Sequence, residues 1–207
     1  MSCFLKRDFF HAPDELYPVI CIDEKSKQLI SDTRKPIKMK AGEALKLDYE
    51  YKRNGTRNLF VAVEPKAGNY YISVTMQRAK ADFARFIEDL LKNKYKKAKK
   101  VRIVLDNLNT HFPQSFYETF SKAKAKALLS KIDFIYTPKH ASWLNMAEIA
   151  AISMLEKECI DRRIGTEKEL IEETNQWLLL VDKEKRKINW RYTKRDAYKK
   201  LSKHYVA

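Results

Sequence analysis

Apolar residues repeat on one period early in the chain and on another afterwards, and few folds accommodate both. Val19-Ile20-Cys21-Ile22 is a short apolar run after Pro18; it reads as a buried strand and ends at Asp23. Residues 45–51 alternate as a half-exposed strand does, Arg53-Asn54-Gly55-Thr56 is a turn signal, and 58–64 and 70–76 are two more strands, parted by Pro65 and Gly68. Together these predict an antiparallel meander. Then the period changes: Phe83, Phe86, Ile87, Leu90 and Leu91 fall on helical spacing. Val101–Leu105 is the next strand and ends at Asp106; residues 115–130 are helical, and Ile132–Tyr136 is a strand stopped by Pro138. Helices over about 142–160, 166–181 and 194–204 complete the chain. A meander followed by βαβ-type crossovers predicts an α/β fold, a mixed sheet of a three-strand antiparallel meander plus parallel strands, flanked by helices. Residues 1–17 read as a lead-in, and 18–207 as one domain ending in basic helices.

Composition narrows the class. Hydrophobic residues make up 44 % of the chain, with 11 Tyr, 10 Phe and 3 Trp, enough for a sizeable core and too much for a disordered chain. No apolar run approaches the ~20 residues that span a bilayer. The opening Met1-Ser2-Cys3-Phe4-Leu5-Lys6 has no signal-peptide core, so a cytoplasmic protein without a membrane partner is expected. Three scattered cysteines, Cys3, Cys21 and Cys159, exclude a disulfide framework or a CxxC zinc site. The net charge of +15 points to a polyanionic partner such as nucleic acid.

The chemistry rests on three acids. Asp23 and Asp106 each stand directly after an apolar strand run, where side chains project from a sheet rim. Glu148 lies in the predicted helix from residue 142. At about 100° per residue, Leu144, Ile152, Leu155 and Cys159 all fall within about 40° of it. A carboxylate in the middle of such an apolar stripe needs compensation. A divalent cation shared with Asp23 and Asp106 would supply it. Three carboxylates suit Mg²⁺ or Mn²⁺, and two such ions about 3.5–4 Å apart support in-line phosphoryl displacement.

The segments Leu105-Asp106-Asn107-Leu108-Asn109-Thr110-His111 and Thr137-Pro138-Lys139-His140-Ala141-Ser142-Trp143-Leu144-Asn145-Met146-Ala147-Glu148-Ile149 resemble the mariner superfamily of DDE transposases, bacterial insertion-sequence branch. Cys21-Ile22-Asp23-Glu24, Asp48–Thr56 and Trp190-Arg191-Tyr192-Thr193-Lys194-Arg195-Asp196-Ala197 add to the likeness, which runs from about residue 18 to the end. The strand and helix order agrees with the RNase H-like fold of that family. The resemblance implies an active triad of Asp23, Asp106 and Glu148. It further implies metal-dependent nicking at transposon ends, then attack of a 3′-OH on target DNA, typically at TA. The implied partners are double-stranded DNA and a second copy of the chain.

The family usually carries an N-terminal helix-turn-helix region. Here it is expected from an upstream-frame polypeptide, in a bacterial, nucleoid-associated setting. Ala150 stands where many members have a second acid two positions after the Glu. Asn107, His111 and Asn145 are expected supporting residues, and Lys139 and His140 expected phosphate contacts. Residues 183–203 hold ten Lys or Arg against Glu184 and Asp196, so Arg191, Lys194 and Arg195 are expected DNA contacts. Two rival readings are a non-catalytic DNA-binding remnant of a decayed insertion element and an RNase H-like nuclease unrelated to transposition.

Overall fold

The computed structural model describes residues 13–35, 37, 40–42, 48–138, 141–191, 193, 195, 196 and 199. Five strands, β1 (Val19–Asp32), β2 (Tyr51–Glu64), β3 (Asn69–Thr75), β4 (Val101–Leu105) and β5 (Ile132–Tyr136), form one sheet in the order β3-β2-β1-β4-β5. β1–β2 and β2–β3 pair antiparallel; β1–β4 and β4–β5 pair parallel. This is the mixed RNase H-like sheet that the periodicity predicts. Helices cover both faces. α1 (Lys80–Asn93), α2 (Gln114–Thr119) and α3 (Lys122–Leu129) lie on one; α4, three consecutive helical segments (Ala147–Ile152, Ser153–Leu155, Glu156–Ile160), and α5 (Glu167–Glu184) lie on the other.

Alternation along the strands divides the core in two. Ile20, Ile22, Phe60, Ala62, Ile103 and Leu105 face α1, whose Phe83, Phe86, Ile87 and Leu90 are all buried. Cys21, Val61, Val63 and Val104 face α4 and α5, meeting Ala147, Ala151, Leu155, Leu170 and Trp177. Among the described residues, no helix is long and apolar enough to cross a membrane.

Several elements differ from expectation. β1 does not end at Asp23: it continues to Asp32 through a polar stretch, because the β2 ladder carries it, from Asp23↔Val61 to Asp32↔Tyr51. Backbone pairing needs no apolar side chains. The Arg53–Thr56 turn signal is a bulge inside β2, not a turn. Gln28 pairs with Thr56 but Ile30 with Arg53, so Asn54 and Gly55 oppose Leu29 alone, and Gly55 takes the extra residue's positive φ of 97°.

The predicted strand at 45–51 falls partly outside the described residues. Asp48–Glu50 precede β2 and their polar groups go to side chains: Glu50 N–H donates to Asp48 Oδ1 (3.1 Å), and Arg163 Nη2 donates to the Asp48 carbonyl (2.7 Å). The helix at 115–130 is two helices, broken at Phe120, which is extended, with Ser121 capping the second.

One close approach orients the far end of the molecule. Gly68, in the turn between β2 and β3 at φ 71°, passes the end of α5 so closely that a Cβ would lie 2.8 Å from the Lys185 carbonyl carbon and oxygen. Only glycine fits there.

Candidate active site

The parallel register of β1 and β4 aligns two of the three acids. Val19 pairs with Arg102, Ile20 with Ile103 and Cys21 with Val104, so the same offset sets Asp23 beside Asp106. β4 stops at Leu105 whereas β1 runs on, so both carboxylates stand where the two strands part. Asp23 Oδ1 accepts from the Glu24 N–H (2.8 Å). Asp106 Oδ1 accepts from the Leu108 N–H (3.0 Å) and lies 2.7 Å from His111 Nδ1. Oδ2 of each has no partner among the described residues.

α4, which carries Glu148, is fastened to β1 at both ends. At the start, the fully buried Asn145 donates through Nδ2 to the Ile22 carbonyl (2.7 Å), the peptide adjoining Asp23, and accepts through Oδ1 from the Ala147 N–H (3.1 Å). At the finish, Lys27 Nζ donates to the carbonyls of Ile160 (2.5 Å) and Arg162 (2.8 Å), a cation on the helix's negative end. The helix therefore begins at Ala147, after a short 3₁₀ turn over Ser142–Leu144, and not at 142; Met146 is its N-cap residue, and Asn145 just before it takes the Ala147 N–H. Its first and last segments are widened π-type turns, and its buried row runs through Ala147, Ala151, Leu155 and Cys159. Glu148 consequently lies on the edge of that row and not at its centre. Its Oε2 is nonetheless buried, without a hydrogen-bond partner.

The electrostatics tie the three acids together. Burial, then the negative charges of Glu24, Glu148 and Asp106, push the Asp23 carboxyl up from 3.8 to about 7, against the opposing Glu24 N–H bond. Asp106 is held below its ordinary range chiefly by its bond to His111. His111 is fully buried between two carboxylates, with Nε2 2.7 Å from Glu24 Oε1. Burial alone would lower it, but the bonds to Asp106 and Glu24 prevail and raise it to about 9. Asn107 Nδ2 donates to the Thr137 carbonyl (2.6 Å), which ties the loop after β4 to the end of β5.

Of the expected DNA contacts, Arg191 and Arg195 are exposed on the last described stretch, and Lys139, His140 and Lys194 lie outside the described residues. Sequence reasoning gave Glu24 no role. The signal was present: in a strand beside Asp23, alternation sends Glu24 to the opposite, core-facing side, where an acid needs a partner.

The family model of the DDE superfamily endonucleases matches residues 18–171, a span that includes all three acids. The chain belongs to the DDE superfamily of endonucleases. No curated protein sequence matches it. Among solved structures, the Mos1 strand transfer complex is similar at TM-score 0.54 and 13 % identity, over 79 % of this chain and 48 % of that one. The Mos1 mariner paired end complex with Mn is similar at 0.55 and 14 %, over 80 % and 49 %. This DDE-superfamily chain thus spans about half the length of the structures it matches, and the likeness establishes the fold.

A divalent cation fits the donor set of this DDE chain. The three acids offer hard oxygen ligands, one buried oxygen on Glu148 lacks any partner, and Asp23 is destabilised as an anion by burial and then by its acidic neighbours. Among the described residues, no group of three or more His, Cys, Asp or Glu side chains is placed to hold a metal ion. Asp23 and Asp106 share one rim, and Asp23 feels the charges of both Asp106 and Glu148.

Proposed function

We propose that this DDE-superfamily domain is the catalytic domain of a cut-and-paste transposase, cleaving DNA strands and joining them to a target, with Asp23, Asp106 and Glu148 as metal-holding catalytic residues. The buried, unpartnered Oε2 of Glu148 carries the reading, supported by the charge of Glu148 acting on Asp23 and by the register that aligns Asp23 with Asp106. A buried carboxylate oxygen without a donor is costly unless something else compensates it. Mg²⁺ or Mn²⁺, two ions in the full site, would activate the attacking oxygen and stabilise the leaving one.

The chain's own residues supply the frame. β1 and β4 hold Asp23 and Asp106 abreast, and Asn145 sets the start of α4 on the peptide next to Asp23. In the proposed sequence, water opens one phosphodiester at a transposon end and leaves a 3′-OH. That hydroxyl then attacks a target phosphodiester, forming a new P–O bond as the old one breaks. The net charge of +15 and the exposed Arg191 and Arg195 support a double-stranded DNA partner, both transposon ends and target. The paired-end Mos1 complexes support action on two transposon ends, which a homodimer of this chain would bring together. An upstream-frame helix-turn-helix polypeptide in a bacterial cytoplasm would supply end recognition.

Glu148→Gln tests the reading. It should lower Mg²⁺-dependent strand cleavage at least about 10²-fold, while salt-sensitive DNA binding stays near the parent's. A Gln variant that cuts as well as the parent refutes the site.

A further inference from the structure

Beside the three acids stands a fourth, Glu24, with no task among them. Glu24 follows Asp23 in β1, and alternation turns it to the sheet face that α1 covers. Its side chain is 4 % exposed, and its Oε1 lies 2.7 Å from His111 Nε2. The other ring nitrogen, Nδ1, lies 2.7 Å from Asp106 Oδ1.

The imidazole has no room to turn. The Phe83 ring packs 4.8 Å from it, centre to centre, and the His111 carbonyl accepts from the Tyr136 hydroxyl (2.9 Å). Asp106, by contrast, is 31 % exposed in its side chain and sits just past the end of a strand, where an untethered carboxylate samples several rotamers.

We propose that Glu24 is a positioning residue for Asp106, acting through His111. The Glu24–His111 pair, reaching round the end of β4 from the α1 side, holds one oxygen of Asp106 and dedicates the other to the reacting site. Glu24 itself cannot serve as a ligand from the far face of β1 while its oxygen is engaged by His111. Groups that orient a ligand from behind in this way typically contribute about 10–100-fold to metal affinity or activity. The inference rests on the reading of Asp106 as a metal-holding residue.

The test measures Mn²⁺ binding, by the loss of the free-ion EPR signal, and strand cleavage for the parent, Asp106→Asn, Glu24→Gln, Glu24→Ala, His111→Gln and the Glu24→Gln/His111→Gln double variant. Glu24→Ala should bind Mn²⁺ about 10–100-fold more weakly. Glu24→Gln, which keeps the shape and one acceptor, should recover part of that loss. Both should lower kcat and leave the KM for DNA unchanged. The double variant should match His111→Gln alone, because Glu24 acts only through the ring. Additive losses, or a wild-type Mn²⁺ affinity in Glu24→Gln, overturn the positioning role. If Asp106→Asn binds Mn²⁺ as the parent does, the ligand reading fails, and the inference with it. A measurement on the parent guards against variants that do not fold: both ring nitrogens of His111 should give hydrogen-bonded ¹⁵N signals, and a ring nitrogen without a hydrogen bond overturns the clamp.

Discussion

Replacing Asp23 by Asn should stabilise the metal-free protein at alkaline pH and do nothing for it in acid. The carboxyl rises from 3.8 to about 7 on folding, first through burial and then through Glu24, Glu148 and Asp106. The folded protein therefore binds this proton more tightly than the unfolded chain does. Below pH 3.8 both states carry it and the site costs nothing. Between 3.8 and about 7 the unfolded chain sheds the proton first, so stability falls as pH rises. Above 7 both states are ionised and the whole cost is present. The rise sets a ceiling of about 4 kcal/mol, and solvent at this half-buried side chain brings the expected effect to about 1–2 kcal/mol.

Asparagine keeps the acceptor for the Glu24 N–H and removes only the charge. Urea denaturation in EDTA should give equal stabilities for parent and variant at pH 4 and a gain of about 1–2 kcal/mol for the variant at pH 8.5. Saturating Mg²⁺ or Mn²⁺ should reverse the order. The parent should gain about 2.7 kcal/mol at a hundred times Kd, and the variant little. A variant whose advantage is the same at both pH values, or which gains from the metal as much as the parent, would refute the argument that crowded charge at this rim is held for a cation.

Two further substitutions test the frame that carries the site. Asn145→Ala leaves the Ile22 carbonyl and the Ala147 N–H buried without partners, and should cost about 2–4 kcal/mol by denaturation; its cleavage should fall with it, because α4 loses its anchor beside Asp23. Gly68→Ala, at φ 71° and with its new Cβ 2.8 Å from the Lys185 backbone, should cost at least about 2 kcal/mol, read as a lowered urea midpoint, with no change in Mn²⁺ affinity.

Sequence alone determined the class of the fold and singled out the three acids proposed as the site. Period two before Met76 and period 3.6 from Phe83 require a sheet with helices laid on it, and apolar runs ending at Asp23 and Asp106 mark a rim. These features are local, and local patterns show which face of an element is buried. Pairing is not local. That β1 runs on to Asp32 follows from its ladder with β2, and that Gly55 makes a bulge and not a turn follows from a two-against-one register with Leu29. The start of α4 at Ala147 is set by a side chain, Asn145, that bonds a carbonyl 123 residues away. Glu24 shows the same division: its residue type and strand position announce a buried acid, but only the folded chain brings His111 between it and Asp106. The reason is that a hydrogen bond between distant residues depends on the closure of the sheet and the docking of helices. Those are decided by the sum of all contacts, and no short stretch of sequence records them.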